Sequence, residues 1–333
     1  MRNLWLGSTI SLLGDQFYLV AMPWLVLQLT GSGLALGSVL MTTAVPRAVL
    51  MLMGGAVIDR FSARRVLIVS ALVRTLLVGG VAALTWLGVV RLWHVLVLTF
   101  MFGVADAFSM PASQAVLPTL VDPAQLRPVN ALMQGSTVMT QMVGPAPAGL
   151  IVRAWGLGAA LLVDAVSFLA VIVALLGIPE PARQGAATAA AAAAAPTVPG
   201  AAPRRGMAHS IAEGLRAVRK DAPLTTLMGI FAVLNLAIYG PIIVGIAAVA
   251  KFRFGSAAAF GTCLSFLSGG MLLGILLGGR LKRPRHRGVQ FTVVGALAGL
   301  ELIGIGLARI SHARPSRGDS NGPGSKAREG RTT

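Results

Sequence analysis

Residues 54–66 read GGAVIDRFSARRV, placing Asp59, Arg60, Arg64 and Arg65 between two long apolar runs. The runs on either side, 34–57 and 66–89, are each long enough to cross the hydrocarbon of a bilayer, which takes a helix of roughly 20 apolar residues. A short gap with four charges between two such runs is where a chain leaves the membrane, turns and re-enters.

The composition extends that reading to the whole chain. Of 333 residues, 55% are hydrophobic and 12% charged, and the mean hydropathy is +0.78. These values are too apolar for an ordinary soluble domain. Lys and Arg number 28 against 11 Asp and Glu, for a formal net charge of +17. In a soluble protein that excess would suggest nucleic acid. Here the basic residues fall in the gaps between apolar runs and no aromatic-interleaved basic patch exists, so the partner is a lipid bilayer and no nucleic acid is expected.

About nine spans are predicted, at 4–29, 34–57, 66–89, 92–112, 131–152, 157–178, 224–249, 257–279 and 289–308. The gaps after the second, fourth, sixth and eighth carry Arg60, Arg64 and Arg65, then Arg127, then Arg204, Arg205, Arg216, Arg219 and Lys220, then Arg280, Lys282, Arg283, Arg285 and Arg287. The alternate gaps hold only Arg91, Arg153, and the pair Lys251 and Arg253. The positive-inside bias therefore puts the N-terminus in the cytoplasm of a multi-pass protein of the cell (inner) membrane. The first span is long, contains Asp15 and Gln16 and precedes no small-residue cleavage site, so it reads as a mature helix.

Four domains are expected: a six-helix membrane bundle at 1–178, a cytoplasmic linker at 179–222, a partial second bundle of about three helices at 223–308, and a disordered basic tail at 309–333. The linker opens as low-complexity Pro/Ala sequence, and then MAHSIAEGLRAVRKDAPL (207–224) spaces Ile211, Leu215 and Val218 for an amphipathic helix on the inner leaflet. GGRLKRPRHRGV (278–289) repeats the glycine pair and basic cluster of the opening stretch. Such an internal repeat is a mark of secondary transporters. The lone cysteine, Cys263, reads as a small buried residue.

GGAVIDRFSARRV resembles the loop motif of the major facilitator superfamily at Gly55, Asp59, Arg60, Arg64 and Arg65. SLLGDQFYLVAMPWLVLQLTGS (11–32), MPASQAVLPTLV (110–121) and NALMQGS (130–136) are similar to its drug and siderophore exporters, among them the macrolide-efflux and enterobactin-exporter proteins. The resemblance runs from about residue 1 to residue 308. It implies an all-α fold of two six-helix halves and ion-coupled, proton-driven efflux of small amphipathic molecules by alternating access. It also implies that Asp59 and the arginines form a cytoplasmic latch of the outward-facing state, shared by Asp106 at the inner end of the fourth helix. The plain alternative is that the arginines only enforce topology. GPAPAG (144–149) resembles the antiporter motif of exporters at Gly144, Pro145 and Gly149, departing from it at Ala148. Its alternative is a simple proline kink with small residues for close packing.

Charged and amide groups inside spans are functional candidates, because a central Asp or Arg costs about 2.5–3.5 kcal/mol on insertion scales. Asp15, Gln16, Arg74, Asn235 and Glu301 are the candidates for proton coupling or substrate contact, with Gln134 and Gln141 as further polar groups. Asp15 has two open readings, a coupling carboxylate or a structural partner of Arg74. Asp164 reads as a packing or loop-end group near the outer face. Phe17, Tyr18, Trp24 and Phe108 read either as a hydrophobic drug pocket or as packing. No P-loop, metal-ligand spacing or Ser/His/Asp set is present in the sequence, so neither an enzyme, a cofactor nor ATP drive is expected, and energy must come from an ion gradient. The spans end near 308 where the implied family fold requires helices ten to twelve. A truncated or frame-shifted exporter is therefore expected, with a non-transporting remnant or an assembly subunit as the alternative.

Overall fold

The computed structural model describes residues 2–121, 123–177, 225–226 and 240–280, all within one compact unit that spans 1–282. Outside the described residues lie the linker with its amphipathic helix, the start of the seventh span, the ninth span, the basic tail, Asn235 and Glu301. The described chain is helical, with no strand among the described residues. Its elements are α1 (Arg2–Thr30), α2 (Gly33–Arg60), α3 (Ala63–Trp86), α4 (Leu92–Leu120), a 3₁₀ turn (Pro123–Gln125), α5 (Leu126–Val143), α6 (Pro145–Leu176), α7 (Gly240–Val249), a π turn (Ala250–Phe254) and α8 (Ala257–Arg280).

Six stretches among them are long and apolar enough to cross a membrane. Their outer faces carry large apolar side chains, including Val45, Val49, Leu76, Val97, Phe266 and Leu277. In water such a surface would aggregate; against lipid tails it is the solvated face. Cys263 belongs to that face: it is exposed, not buried as its small size and apolar surroundings suggested.

Two predicted boundaries shift for physical reasons. The fourth span was expected to stop at 112, after Pro111, yet α4 continues to Leu120 through Pro111 and Pro118. Membrane helices tolerate internal proline because neighbouring groups re-satisfy the freed backbone. The fifth and sixth spans share one helical run, α6, broken at Gly156, whose φ of 84° and ψ of 175° suit only glycine. Gly144 keeps helical angles (φ −68°, ψ −43°), so α5 passes into residues 145–155 without reversing. The Trp5 indole donates to Ser136 Oγ at 2.9 Å, and Gly144 lies against Gln16, so this fifth segment runs parallel to α1. Gly7 lies against Ala174 and Gly14 against Ser167, so residues 157–176 run antiparallel to α1. The chain therefore turns back on a single residue.

Residues 157–176 pack between α1 and α3, where Gly158 receives Trp86 and Gly79 faces Ala165. Helices α2 and α4 pair in parallel, with Gly103 against Thr43 and Pro46. α8 crosses the fifth segment antiparallel, with Gly269 near Met142, Gly261 against Pro145 and Gly149 against Ala257. Val20, Ala21, Leu25, Val26, Leu27, Val78, Val81, Leu161 and Phe168 form the main core beneath these contacts.

A Cβ on Gly14 would meet the Ser167 hydroxyl and come within 3.1 Å of Asp164 Oδ1, whereas one on Gly80 meets nothing within 4 Å. Gly14→Ala is expected to destabilise the detergent-solubilised protein by about 1–3 kcal/mol through overpacking, and Gly80→Ala to leave the thermal midpoint unchanged or raised. Equal midpoints for the two variants would contradict the close α1–α6 approach.

Candidate functional site

Four charged side chains from four helices meet in the bundle. Arg74 of α3 donates from Nη2 to Asp15 Oδ1 of α1 at 2.9 Å, and its Nη1 lies 3.7 Å from Asp106 Oδ1 of α4. Asp106 Oδ2 is 3.1 Å from Arg47 Nη1 of α2. The order Asp15–Arg74–Asp106–Arg47 alternates in sign, so each interior charge has an opposite neighbour. The side chain of Arg74 is 12% exposed and that of Asp106 15%, while Asp15 and Arg47 reach 32% and 41%. Phe102 and Phe168 both lie against the Arg74 guanidinium, with ring centroids 4.7 and 4.2 Å from Cζ and 6.5 Å from each other, so they form an aromatic corner around it. A weakly hydrated planar cation suits such aromatic walls better than an ammonium does. Tyr18 stacks on Phe102 at 4.7 Å and 8°. Together with Met22, Leu77, Val78, Val81 and Leu98 they line an apolar recess too tight to admit a water molecule.

This arrangement corrects the expectation for Asp106. It sits midway along α4 rather than at its inner end, and its partners are Arg47 and Arg74. Among the described residues neither Arg64 nor Arg65 pairs with it. Arg64 and Arg65 occupy the first turn of α3, where Ser62 Oγ accepts from the Arg65 amide at 3.4 Å. Cations there oppose the helix dipole, so capping does not explain them, which leaves topology or a partner across the loop. Gly55 and the backbones of Asp59 and Arg60 lie in the last turns of α2, and the side chains of Asp59 and Arg60 lie outside the described residues.

Asp164 is also corrected. It lies within 157–176 with no exposure, far from any loop end. Gln16 is buried, donating from Nε2 to Leu12 O at 3.2 Å. Gln134 and Gln141 are exposed on α5. Phe17 and Trp24 belong to the main core and Phe108 packs on a smaller cluster with Leu4, Val66 and Val116, so of the four aromatic candidates only Tyr18 lines the recess. Arg47, absent from the expected set, had a readable signal: a lone cation one residue after Pro46, inside the second apolar run.

A second polar group of contacts lies where α8 and the π turn meet the first six segments. Pro145 and Pro147 have no N–H, and the Ala146 amide between them donates to Ser265 Oγ of α8 at 3.1 Å. Lys251 donates from Nζ to Leu27 O at the end of α1, at 2.8 Å, and lies 6.0 Å from the Trp24 ring centroid. Partial burial holds its ammonium below the usual lysine range.

Long apolar helices with lipid-compatible faces, enclosing an alternating charge network, define a multi-pass membrane protein with an ionisable interior. The Major Facilitator Superfamily sequence model matches residues 4–317, and the chain belongs to that family. It is 25% identical over 180 residues to macrolide efflux protein A of Streptococcus pyogenes, covering 54% of this chain and 44% of that one. It is 32% identical over 148 residues to the multidrug efflux pump Tap of Mycolicibacterium fortuitum, covering 43% and 36%. With the MFS-type transporter YfiS of Bacillus subtilis it shares 25% over 181 residues, covering 54% and 42%. The matches span less than half the length of these relatives.

Removing Arg74 leaves Asp15 and part of Asp106 without a counter-charge in the bundle. Arg74→Gln is expected to cost on the order of 3 kcal/mol, and adding Asp15→Asn to restore part of it. A double-mutant cycle on thermal unfolding checks this, and additive effects would contradict the coupling.

Proposed function

We propose that the chain acts in proton-coupled efflux of small amphipathic molecules across the cell membrane by alternating access, with its N-terminus in the cytoplasm. The observation that carries this reading is the charge network Asp15–Arg74–Asp106–Arg47, held inside a helix bundle with lipid-facing walls. Charged groups at membrane depth are costly and mark ion or substrate pathways. Two relatives, named as a macrolide efflux protein and a multidrug efflux pump, support the direction and the substrate class.

In this reading Asp15, Gln16 and Arg74 form the coupling site in the first bundle, and Asn235 and Glu301 contribute from the second. Gly144, Pro145 and Gly149 belong to an antiporter-like stretch that meets α8. Gly55, Asp59, Arg60, Arg64 and Arg65 form the cytoplasmic latch, without Asp106. The bundle at 1–178, the linker at 179–222, the second membrane part at 223–308 and the basic tail at 309–333 are the working units.

The test uses everted membrane vesicles containing the full chain, acidified inside, with a radiolabelled macrolide and a fluorescent amphipathic cation as probes. The expected outcome is accumulation of at least one probe that collapses with the pH gradient and falls to the level of protein-free vesicles in Asp15→Asn. Accumulation indifferent to the gradient would overturn proton coupling. No accumulation above protein-free vesicles would overturn efflux.

A further inference from the structure

Asp164 is fully buried, and neither of its carboxyl oxygens has a hydrogen-bond partner among the described residues. The ionisable groups that face it are Asp15 and Tyr18 on α1 and Arg74 on α3. Asp106 on α4 and Arg47 on α2 join through Arg74. Gly14 brings α1 against it, so that a Cβ there would lie 3.1 Å from Asp164 Oδ1. Among the described residues the cluster therefore holds two guanidinium groups, Arg47 and Arg74, and three carboxyls, Asp15, Asp106 and Asp164. With every group ionised it carries one uncompensated negative charge in an apolar bundle. Arginine does not give up its proton, so a single bound proton on one carboxyl makes the cluster neutral. Asp15 and Asp106 each pair with a guanidinium within 4 Å; among the described residues Asp164 pairs with none.

We propose that Asp164 is a proton-binding site, and that it shares one proton with Asp15 through Arg74. In the arrangement described here the proton sits on Asp164 while Arg74 serves Asp15 and Asp106. Arg74 Nε is buried without a partner among the described residues, so the guanidinium, resting against Phe102 and Phe168, keeps a donor to offer. When Asp164 loses its proton to water, its carboxylate accepts a hydrogen bond from Arg74. Asp15, released by Arg74, then takes a proton from water and becomes neutral. One O–H bond breaks and one forms, and the charge of the cluster is unchanged at the end. Its use in transport rests on the proton coupling proposed above; the protonation of Asp164 does not.

The test is infrared spectroscopy of the purified full chain in lipid at pH 7, reading the carboxylic-acid C=O stretch. Wild type is expected to show the band and to lose it as pH is raised. Asp164→Asn is expected to lack it. Asp15→Asn is expected to lose it too, because two guanidiniums then face two carboxylates and Arg74 is free to serve Asp164. A band that survives in Asp164→Asn overturns the assignment, and one that survives in Asp15→Asn overturns the sharing. In the vesicle assay, Asp164→Asn is expected to lose accumulation driven by the pH gradient and Asp164→Glu to recover part of it. Undiminished gradient-driven accumulation in Asp164→Asn overturns the transport role. If wild type keeps the band but ignores the gradient, the proton site stands and the coupling reading falls. If Asp164→Asn fails to fold, Asp164→Glu keeps the assignment testable: it is expected to move the band to a glutamic-acid frequency, and an unmoved band overturns the assignment to residue 164.

Discussion

The charge on Arg74 constrains much of the interior. A guanidinium cannot neutralise itself by losing a proton, and lipid offers it no hydration, so the fold must bring counter-charges to it. Asp15 from α1 and Asp106 from α4 do so, while Phe102 and Phe168 form an aromatic corner against it. That one requirement fixes the rotation of three helices about their axes, since a turn of any of them would point its charged group at hydrocarbon. The small residues around it serve the same end. Gly14 lets α1 come close enough to residues 164–167 for the charged groups of both to share one enclosure.

The contacts with α8 and the π turn are of another kind. They combine close approaches at glycine and alanine, a serine hydroxyl, main-chain amides and carbonyls and the Lys251 ammonium with the apolar side chains of Phe260 and Leu264, which join the main core. The small residues let the backbones approach closely, and the buried side chains of Phe260 and Leu264 add apolar packing to that approach. The two regions thus differ: one is an interior tied by charge, the other a seam of close backbone approach and apolar packing.

Much of the architecture was legible beforehand, and the reason is the bilayer itself. Spans are set by a fixed hydrocarbon thickness, so the apolar runs around GGAVIDRFSARRV and the eighth span at 257–279 anticipated α2, α3 and α8 closely. The expected end of the fourth span at 112 fell short, because in a membrane a helix can run on through Pro111 and Pro118 to Leu120. The candidate site was partly legible. Asp15 and Arg74 stood out by their depth within spans, and the structure pairs them. Asp106 and Asp164 were misplaced because distance from a loop in sequence does not say which face of a helix a residue occupies, and with apolar residues on every side no periodicity reveals it. Arg47 was missed although a list of every charge inside a span contains it. The aromatic walls of Arg74 carry no local signal: Phe102 and Phe168 lie 66 positions apart in sequence and meet only through packing.

Gly156 has a mechanical consequence. It joins two membrane-crossing segments with one residue, so the connection has no slack. The segment before it touches α8 through Gly149 and Ala146; the segment after it carries Asp164 about 12 Å further on at 1.5 Å per residue. A longer loop would absorb relative motion between them as bending. With a one-residue joint the pair behaves as a stiff hairpin, a lever whose fulcrum is the turn. A tilt imposed at the α8 seam then arrives at the buried carboxyl as displacement.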